Sequence, residues 1–242
     1  MTDWSRVIGI FGGSFDPPHS GHRAAVAGLF ARPGLKKVWV MPSGNPPWKT
    51  ASSPARDRLE MARLAFSGLD EVEVLDWELE LATRSPAEPT TTWRTLEFIA
   101  PRLHEAELAW VLGTDQLLGL DRWDRFPEVL GRCHWIVLLR RGLEDAEAAA
   151  FQKMAAFESA GMVRRDPRAP DTWNIAEHLA GGRNLRIALV RTDAPEASST
   201  AIREEAARTG DIRASLAEKR IDPAVAGYLK EKKLYGTRNH DL

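Results

Sequence analysis

Short apolar runs rich in β-branched residues recur along the chain, and amphipathic stretches of helical period lie between them. The runs predict strands over residues 7–11, 37–41, 71–75, 108–112, 134–139 and 185–190. The stretches predict helices over 21–31, 55–66, 93–106, 125–130, 145–160, 201–207 and 223–232. The last opens on Asp222 followed by Pro223, an N-cap residue with proline in the first turn, where a missing N–H does no harm. Alternating strands and helices assemble into a mostly parallel sheet with helices on both faces, a Rossmann-like, doubly wound α/β fold. Such sheets bind ligands beyond the carboxyl ends of the strands, where the strand order reverses. Chemistry is therefore expected in the loops that begin near Gly12, Pro42, Gly113, Arg140 and Arg191.

Residues 141–184 break this rhythm. They hold an Ala/Glu-rich helical stretch and then Arg164-Arg165-Asp166-Pro167-Arg168-Ala169-Pro170, whose charges read as a solvated face. One domain is expected over 1–242, with an insertion, a lid or a packing element at about 141–184.

Composition narrows the picture. The 242 residues, 43% hydrophobic and 28% charged, suit a soluble globular chain with a sizeable core. The formal net charge of −1 supplies no global basic field for nucleic acid or an anionic membrane, so an anionic ligand must be held by local groups. The lone cysteine, Cys133, excludes an internal disulfide and a multi-cysteine zinc site, and its apolar neighbours mark it as a buried, inert thiol. No apolar run reaches the roughly 18–20 residues that span a bilayer. The first six residues lack the basic-then-apolar pattern of a signal peptide, so the cytoplasm is the expected compartment.

The first loop carries the densest chemistry. The run Val7-Ile8-Gly9-Ile10-Phe11 leads into Gly12-Gly13-Ser14-Phe15-Asp16-Pro17-Pro18-His19-Ser20-Gly21-His22. Paired glycines let backbone N–H groups approach an anion, and the helix beginning near Ser20 adds unpaired donors and a partial positive charge. His19 and His22 share one face of its first turn. Together these describe a triphosphate site without a P-loop lysine. Metal ligation is the competing reading of two histidines at this spacing, but no third ligand is evident nearby.

The other loops carry weaker signals. Asp115 in Gly113-Thr114-Asp115-Gln116 either accepts ribose hydroxyls or caps a helix, and Trp123 either stacks on a ligand or packs in the core. In Pro42-Ser43-Gly44-Asn45-Pro46-Pro47-Trp48-Lys49, the lysine either meets a phosphate or stays solvated. Ser198-Ser199-Thr200-Ala201-Ile202-Arg203 is either a plain helix cap or an anion site with an arginine in the first turn.

Taken together, these strings resemble the nucleotidyltransferase superfamily with its (T/H)-x-G-H signature, and the first loop is similar to the nicotinate-nucleotide adenylyltransferase branch. Ser198-Ser199-Thr200-Ala201-Ile202-Arg203 resembles the superfamily's Ile-Ser-Ser-Thr-x-Ile-Arg motif that closes over ATP phosphates, with Ala197 in place of the leading isoleucine. Gly113…Asp115…Trp123 resembles the branch's Gly-x-Asp…Trp segment, whose tryptophan stacks on a pyridine ring. The Pro42 loop resembles the branch's Pro-x-x-x-Pro-Pro-His-Lys, with Trp48 in place of histidine. Thr90-Thr91-Thr92 resembles a Ser-Tyr-Thr segment whose threonine backbone meets the pyridine carboxylate, with Thr91 in place of tyrosine.

The resemblance implies adenylyl transfer from ATP to nicotinate mononucleotide, giving nicotinate adenine dinucleotide and pyrophosphate in NAD biosynthesis. It implies catalytic roles for His19, His22 and Arg203, and ATP binding by Gly12, Gly13, Ser14, Phe15, Gly113, Asp115, Ser199, Thr200 and Ile202. Pyridine-nucleotide binding falls to Asn45, Lys49, Thr92, Trp123 and Arg140, and Mg2+ arrives with ATP rather than on protein ligands. Other expected outcomes are a different acceptor in the same superfamily, such as nicotinamide mononucleotide or phosphopantetheine, or a nucleotide sensor without turnover.

Overall fold

A computed structural model describes residues 3–47, 51–103, 106–140, 144–195 and 197–238. Its strands are β1 (Val7–Gly13), β2 (Lys37–Pro42), β3 (Val72–Val74), β4 (Glu107–Gly113), β5 (His134–Arg140), β6 (Val163–Asp166), β7 (Ala169–Ile175) and β8 (Arg186–Thr192). Its helices are α1 (Ser20–Ala31), α2 (Ala55–Phe66), α3 (Trp77–Arg84), α4 (Thr92–Ile99), α5 (Thr114–Leu118), α6 (Glu144–Ser159), α7 (Glu177–Ala180), α8 (Ser199–Thr209), α9 (Arg213–Ala217) and α10 (Pro223–Glu231).

Among the described residues the strands form one eight-stranded sheet in the order β3-β2-β1-β4-β5-β8-β7-β6. The pairs β1–β4, β4–β5 and β5–β8 are parallel, and β7 and β6 close that side as antiparallel strands. The order reverses between β1 and β4, so the expected Rossmann-like α/β architecture is the one present. In β5, flanked by parallel neighbours, every residue except Arg140 is buried, which is why it reads as an unbroken apolar run. No described helix is long and apolar enough to cross a membrane.

Besides α3, α5, α7 and α9, which the sequence pattern does not predict, three segments depart from the sequence expectation. The helix predicted over 93–106 stops at Ile99 and tightens into a 3₁₀ turn, Ala100–Arg102, because Pro101 cannot continue the helical hydrogen bonds. The helix predicted over 125–130 is a 3₁₀ turn at Glu128–Arg132; Arg125 sits at φ 53, a left-handed backbone that no helix contains. The stretch 164–170, whose charges read as a solvated face, lies within the β6–β7 hairpin, 163–175. Val163 and Asp166 of β6 are buried while Arg164 and Arg165 are exposed, so a charged edge strand hides behind the basic composition. Arg191 of β8 binds Glu147 of α6 at 2.5 Å and Asp171 of β7 at 2.8 Å, joining that helix and hairpin to the sheet.

The chain divides into two compact units. The first comprises Met1–Gly12, Ala27–Trp39 and Thr91–Asp193, the second Gly13–Val26, Val40–Thr90 and Ala194–Leu242. The first is built on Ile10, Val111, Trp135, Ile136, Val137 and Ile187, all at most 1% exposed. The second is built on Phe15, Val26, Met41, Met61, Val225 and Leu229, equally buried.

Candidate active site

In the second unit the loop after β1 is fastened from several sides. The Gly13 carbonyl accepts the Ser43 N–H at 2.9 Å, coupling this loop to the one after β2. Phe15 takes φ 48, a strained conformation for a bulky residue, and its ring is buried edge-on to His22 and Phe66, with centroids 5.0 and 5.9 Å away. That ring supports His22 from below. His19 and His22 stack with centroids 3.7 Å apart, and the His19 backbone N–H donates to His22 Nδ1 at 3.1 Å. With Nδ1 accepting, neutral His22 carries its proton on Nε2, as a donor. Gly21 fits closely between them, since a Cβ there would lie 3.1 Å from the His19 ring and 3.2 Å from the Pro195 carbonyl.

Asp16 is the hub of the loop. Its buried carboxylate accepts from the Ser52 N–H at 2.6 Å, the Ser53 hydroxyl at 2.5 Å and the Tyr235 hydroxyl at 2.6 Å. Burial, reinforced by the Asp16 contact, pushes the Tyr235 phenol well above its ordinary range, so it remains a donor. The Asp16 backbone carbonyl accepts from Arg203 Nη1 at 2.6 Å, Arg203 Nη2 donates to Thr200 Oγ1 at 3.1 Å, and Ser199 Oγ donates to the Pro17 carbonyl at 2.8 Å. Ser198 is the N-cap of α8, while Ser199 and Arg203 are bonded to the first loop and Thr200 to Arg203. Ile202 seats this turn from the core, fully buried, with its N–H bonded to the Ser198 carbonyl.

Arg58 was not among the expected site residues. It is 1% exposed and donates to the carbonyls of Ser14, Gly44 and Ser53 and to Ser43 Oγ, at 3.1 to 3.3 Å. Burial lowers its pKa, and the charges of Asp16 and Glu78 oppose that shift. It therefore ties together the loops after β1 and β2 and the approach to α2. Helical period offers the one sequence clue: Arg58 recurs with Met61, Ala62 and Ala65 on the buried face of α2. Gly44 is needed because a Cβ there would fall 2.1 Å from the Glu78 carbonyl of α3. Asn45 is exposed and holds the following segment, its N–H donating to Thr90 Oγ1 at 3.1 Å and Nδ2 to the Glu88 carbonyl at 3.2 Å. Lys49, with Trp48, lies outside the described residues.

The first unit carries the remaining expected residues. A Cβ on Gly12 would lie 3.1 Å from the Trp110 ring of β4, a tight contact with a side chain of the sheet. Gly113, not Asp115, is the N-cap of α5; Asp115 is exposed in the first turn, its carboxylate folded back toward Gly113. Thr92 opens α4 behind its N-cap Thr91. Trp123 is half-buried, its ring edge-on to Trp135 at 6.1 Å. Arg140 is exposed at the end of β5. Cys133 is buried and its thiol pushed up to about 12 by desolvation, which makes it inert. Among the described residues no cluster of three or more His, Cys, Asp or Glu could cage a metal.

A doubly wound sheet whose first loop sets glycines and two stacked histidines at a helix start belongs to the cytidylyltransferase-like class, and that family matches residues 10–205. The chain is 37% identical to the "probable nicotinate-nucleotide adenylyltransferase" of Laribacter hongkongensis, covering 97% of each. It is 30% identical to the protein of the same name from Dehalococcoides mccartyi, over 96% of this chain and 98% of that one. The chain belongs to the nicotinate-nucleotide adenylyltransferase family. The solved Plasmodium falciparum nicotinic acid mononucleotide adenylyltransferase complexed with NaAD shares the fold, with TM-score 0.64 at 18% identity over 95% of this chain and 97% of that one.

Proposed function

We propose that this chain transfers the adenylyl group of ATP to nicotinate mononucleotide, forming nicotinate adenine dinucleotide and releasing pyrophosphate. The observation that carries this reading is the loop after β1, where His19 and His22 stack on each other while Arg203 and Ser199 are anchored on the buried Asp16–Pro17 segment. The nucleophile is a phosphate oxygen of the mononucleotide, already ionised near neutral pH because a phosphomonoester loses its second proton near pH 6. It attacks the α-phosphorus of ATP in line as the bond to the β-phosphate oxygen breaks, so no general base is needed. The protein's task is positioning and charge neutralisation. His22, donating from Nε2, and His19 meet the triphosphate, and Arg203 meets the departing pyrophosphate. ATP enters as its magnesium complex, the ion held by phosphates and water.

Gly12, Gly13, Ser14 and Phe15 line the phosphate path with backbone, Ser199 and Thr200 close it, and Gly113 and Asp115 take the ribose. Thr92 and Trp123 hold the pyridine, with Asn45, Lys49 and Arg140 as further contacts to the acceptor. Backbone N–H donors at the start of α4 favour a carboxylate over an amide, which presents both donor and acceptor. The test is pyrophosphate release from ATP with nicotinate mononucleotide, nicotinamide mononucleotide or phosphopantetheine. Fastest release is expected with the first. Release with phosphopantetheine alone reassigns the acceptor, and nucleotide binding without release makes the chain a sensor.

A further inference from the structure

The start of α4 and the loop around Trp123 are joined by contacts that no motif announces. Thr91 Oγ1 donates to Asp124 Oδ2 at 2.8 Å and accepts the Arg94 N–H at 3.4 Å, so one hydroxyl caps α4 and grips the residue after Trp123. The ring of Trp93 lies against the guanidinium groups of Arg125 and Arg132, at 4.9 and 4.0 Å, and Arg132 binds Glu97 of α4 at 3.2 Å. These contacts run along one side of α4, from its cap to its second turn. They fix the helix start that carries Thr92 relative to the loop that carries Trp123.

We propose that Thr91 and Asp124 form a positioning clasp that sets the acceptor subsite, by holding the Thr92 backbone and the Trp123 ring at the separation a pyridine mononucleotide requires. The inference rests on the pyridine-binding roles proposed above. Thr91 and Asp124 touch no substrate in this account and act through their neighbours. The hydroxyl is the essential feature, since only it can donate to the carboxylate and accept from the helix at once. A tyrosine at this position has its hydroxyl too far from the backbone to cap the helix, so the threonine is a different solution, not a reduced one.

The test is steady-state kinetics on the full chain, with each substrate varied in turn. Thr91→Val and Asp124→Ala should each raise the KM for nicotinate mononucleotide about fivefold, the worth of one hydrogen bond, while the KM for ATP stays put. Thr91→Ser and Asp124→Asn, which preserve the bond, should restore the acceptor KM, and the double variant should be no worse than either single one. Asp124→Ala leaves the cap of α4 intact and decides the matter if Thr91→Val does not fold. An unchanged acceptor KM, an equal rise in both KM values, or an Asp124→Asn as impaired as Asp124→Ala would each overturn the clasp. A wild-type chain that turns over no pyridine mononucleotide defeats the functional reading itself, and the clasp with it.

Discussion

The residues proposed to meet the triphosphate and those proposed to meet the pyridine are held in different ways. In the second unit, the carboxylate of Asp16 is buried and receives three donors, Arg58 is buried and serves four acceptors, and Arg203 is anchored on the Asp16 carbonyl. In the first unit, Asp124 and Arg140 are exposed, Thr92 and Trp123 are half-buried, and the Thr91–Asp124 bond lies open to water. A buried polar network admits one geometry, because any member left unpaired keeps its full desolvation cost. Exposed bonds trade with water and change cheaply. On the proposed roles, charge neutralisation, common to every acceptor, thus falls to groups seated on a buried polar network. Acceptor choice rests on groups that can be altered without unfolding the chain.

Removing the centre of the buried network should give the largest effect. Arg58→Leu removes the donor of the carbonyls of Ser14, Gly44 and Ser53, the last of them buried, while the Ser43 hydroxyl can rotate to another partner. A loss of about 3–4 kcal/mol is expected at roughly 1 kcal/mol per stranded acceptor plus the lost packing, read as a lower urea midpoint at unchanged slope. A stability change below about 1 kcal/mol would mean that the loops are held without Arg58, and the contrast between the two regions would fail. Next comes His22→Ala, which removes a preorganised donor and the acceptor of the His19 N–H, and leaves the bonds of Asp16 and Arg58 in place. Turnover should fall at least about 100-fold, as when one charge-stabilising donor is lost elsewhere, with little change in the acceptor KM. Near-normal turnover would remove His22 from the chemistry.

These two residues also mark what could be read from sequence and what could not. His22 sits in a contiguous string in which glycines, imidazoles and a helix start fall within one loop, so local order alone exposes the site. The parallel core was visible for a similar reason: β5 is an uninterrupted apolar run because both its faces are covered. Arg58 is announced only by its phase on α2, and Thr91 and Asp124 meet across 33 positions of sequence, so no local pattern encodes their bond. The β6–β7 hairpin was hidden by its role at the sheet edge, where arginines face water and Pro170 is tolerated near the strand start. Asp115 was ambiguous for a different reason. Cap and ribose ligand ask for the same side chain, and only backbone geometry, with Gly113 at the cap, separates them.

Tyr235→Phe sharpens the comparison from inside the buried network. It deletes one of the three donors to the Asp16 carboxylate and leaves those of Ser52 and Ser53. If the network is overdetermined, thermal stability should fall by only about 1–2 kcal/mol, and turnover should change far less than in His22→Ala. A loss of turnover as large as that of His22→Ala would show that the C-terminal tyrosine sets the geometry of the first loop single-handedly.

The smallest expected effect tests the first unit, through a histidine unconnected with either substrate. His134 is 2% exposed at the start of β5, its Nδ1 accepts the Arg186 N–H at 3.1 Å, and the Trp4 ring stands edge-on to it. Burial holds its pKa below the ordinary 6.5, with the nearby charge of Glu107 opposing that shift and those of Arg186 and Arg183 adding to it. Below pH 6.5 the unfolded chain binds a proton that the folded one resists, so the stabilisation is full above pH 6.5 and is lost as pH falls toward the folded-state value. The slope cannot exceed about 1.4 kcal/mol per pH unit for a single proton. His134→Asn keeps an acceptor near the Nδ1 position and cannot titrate. Urea midpoints measured from pH 7.5 to pH 5 should therefore fall less steeply in this variant than in the parent chain. Parallel curves would show that His134 takes up its proton at the same pH in the folded and unfolded chain, with the Glu107 carboxylate, 3.9 Å from Nε2, offsetting the effect of burial.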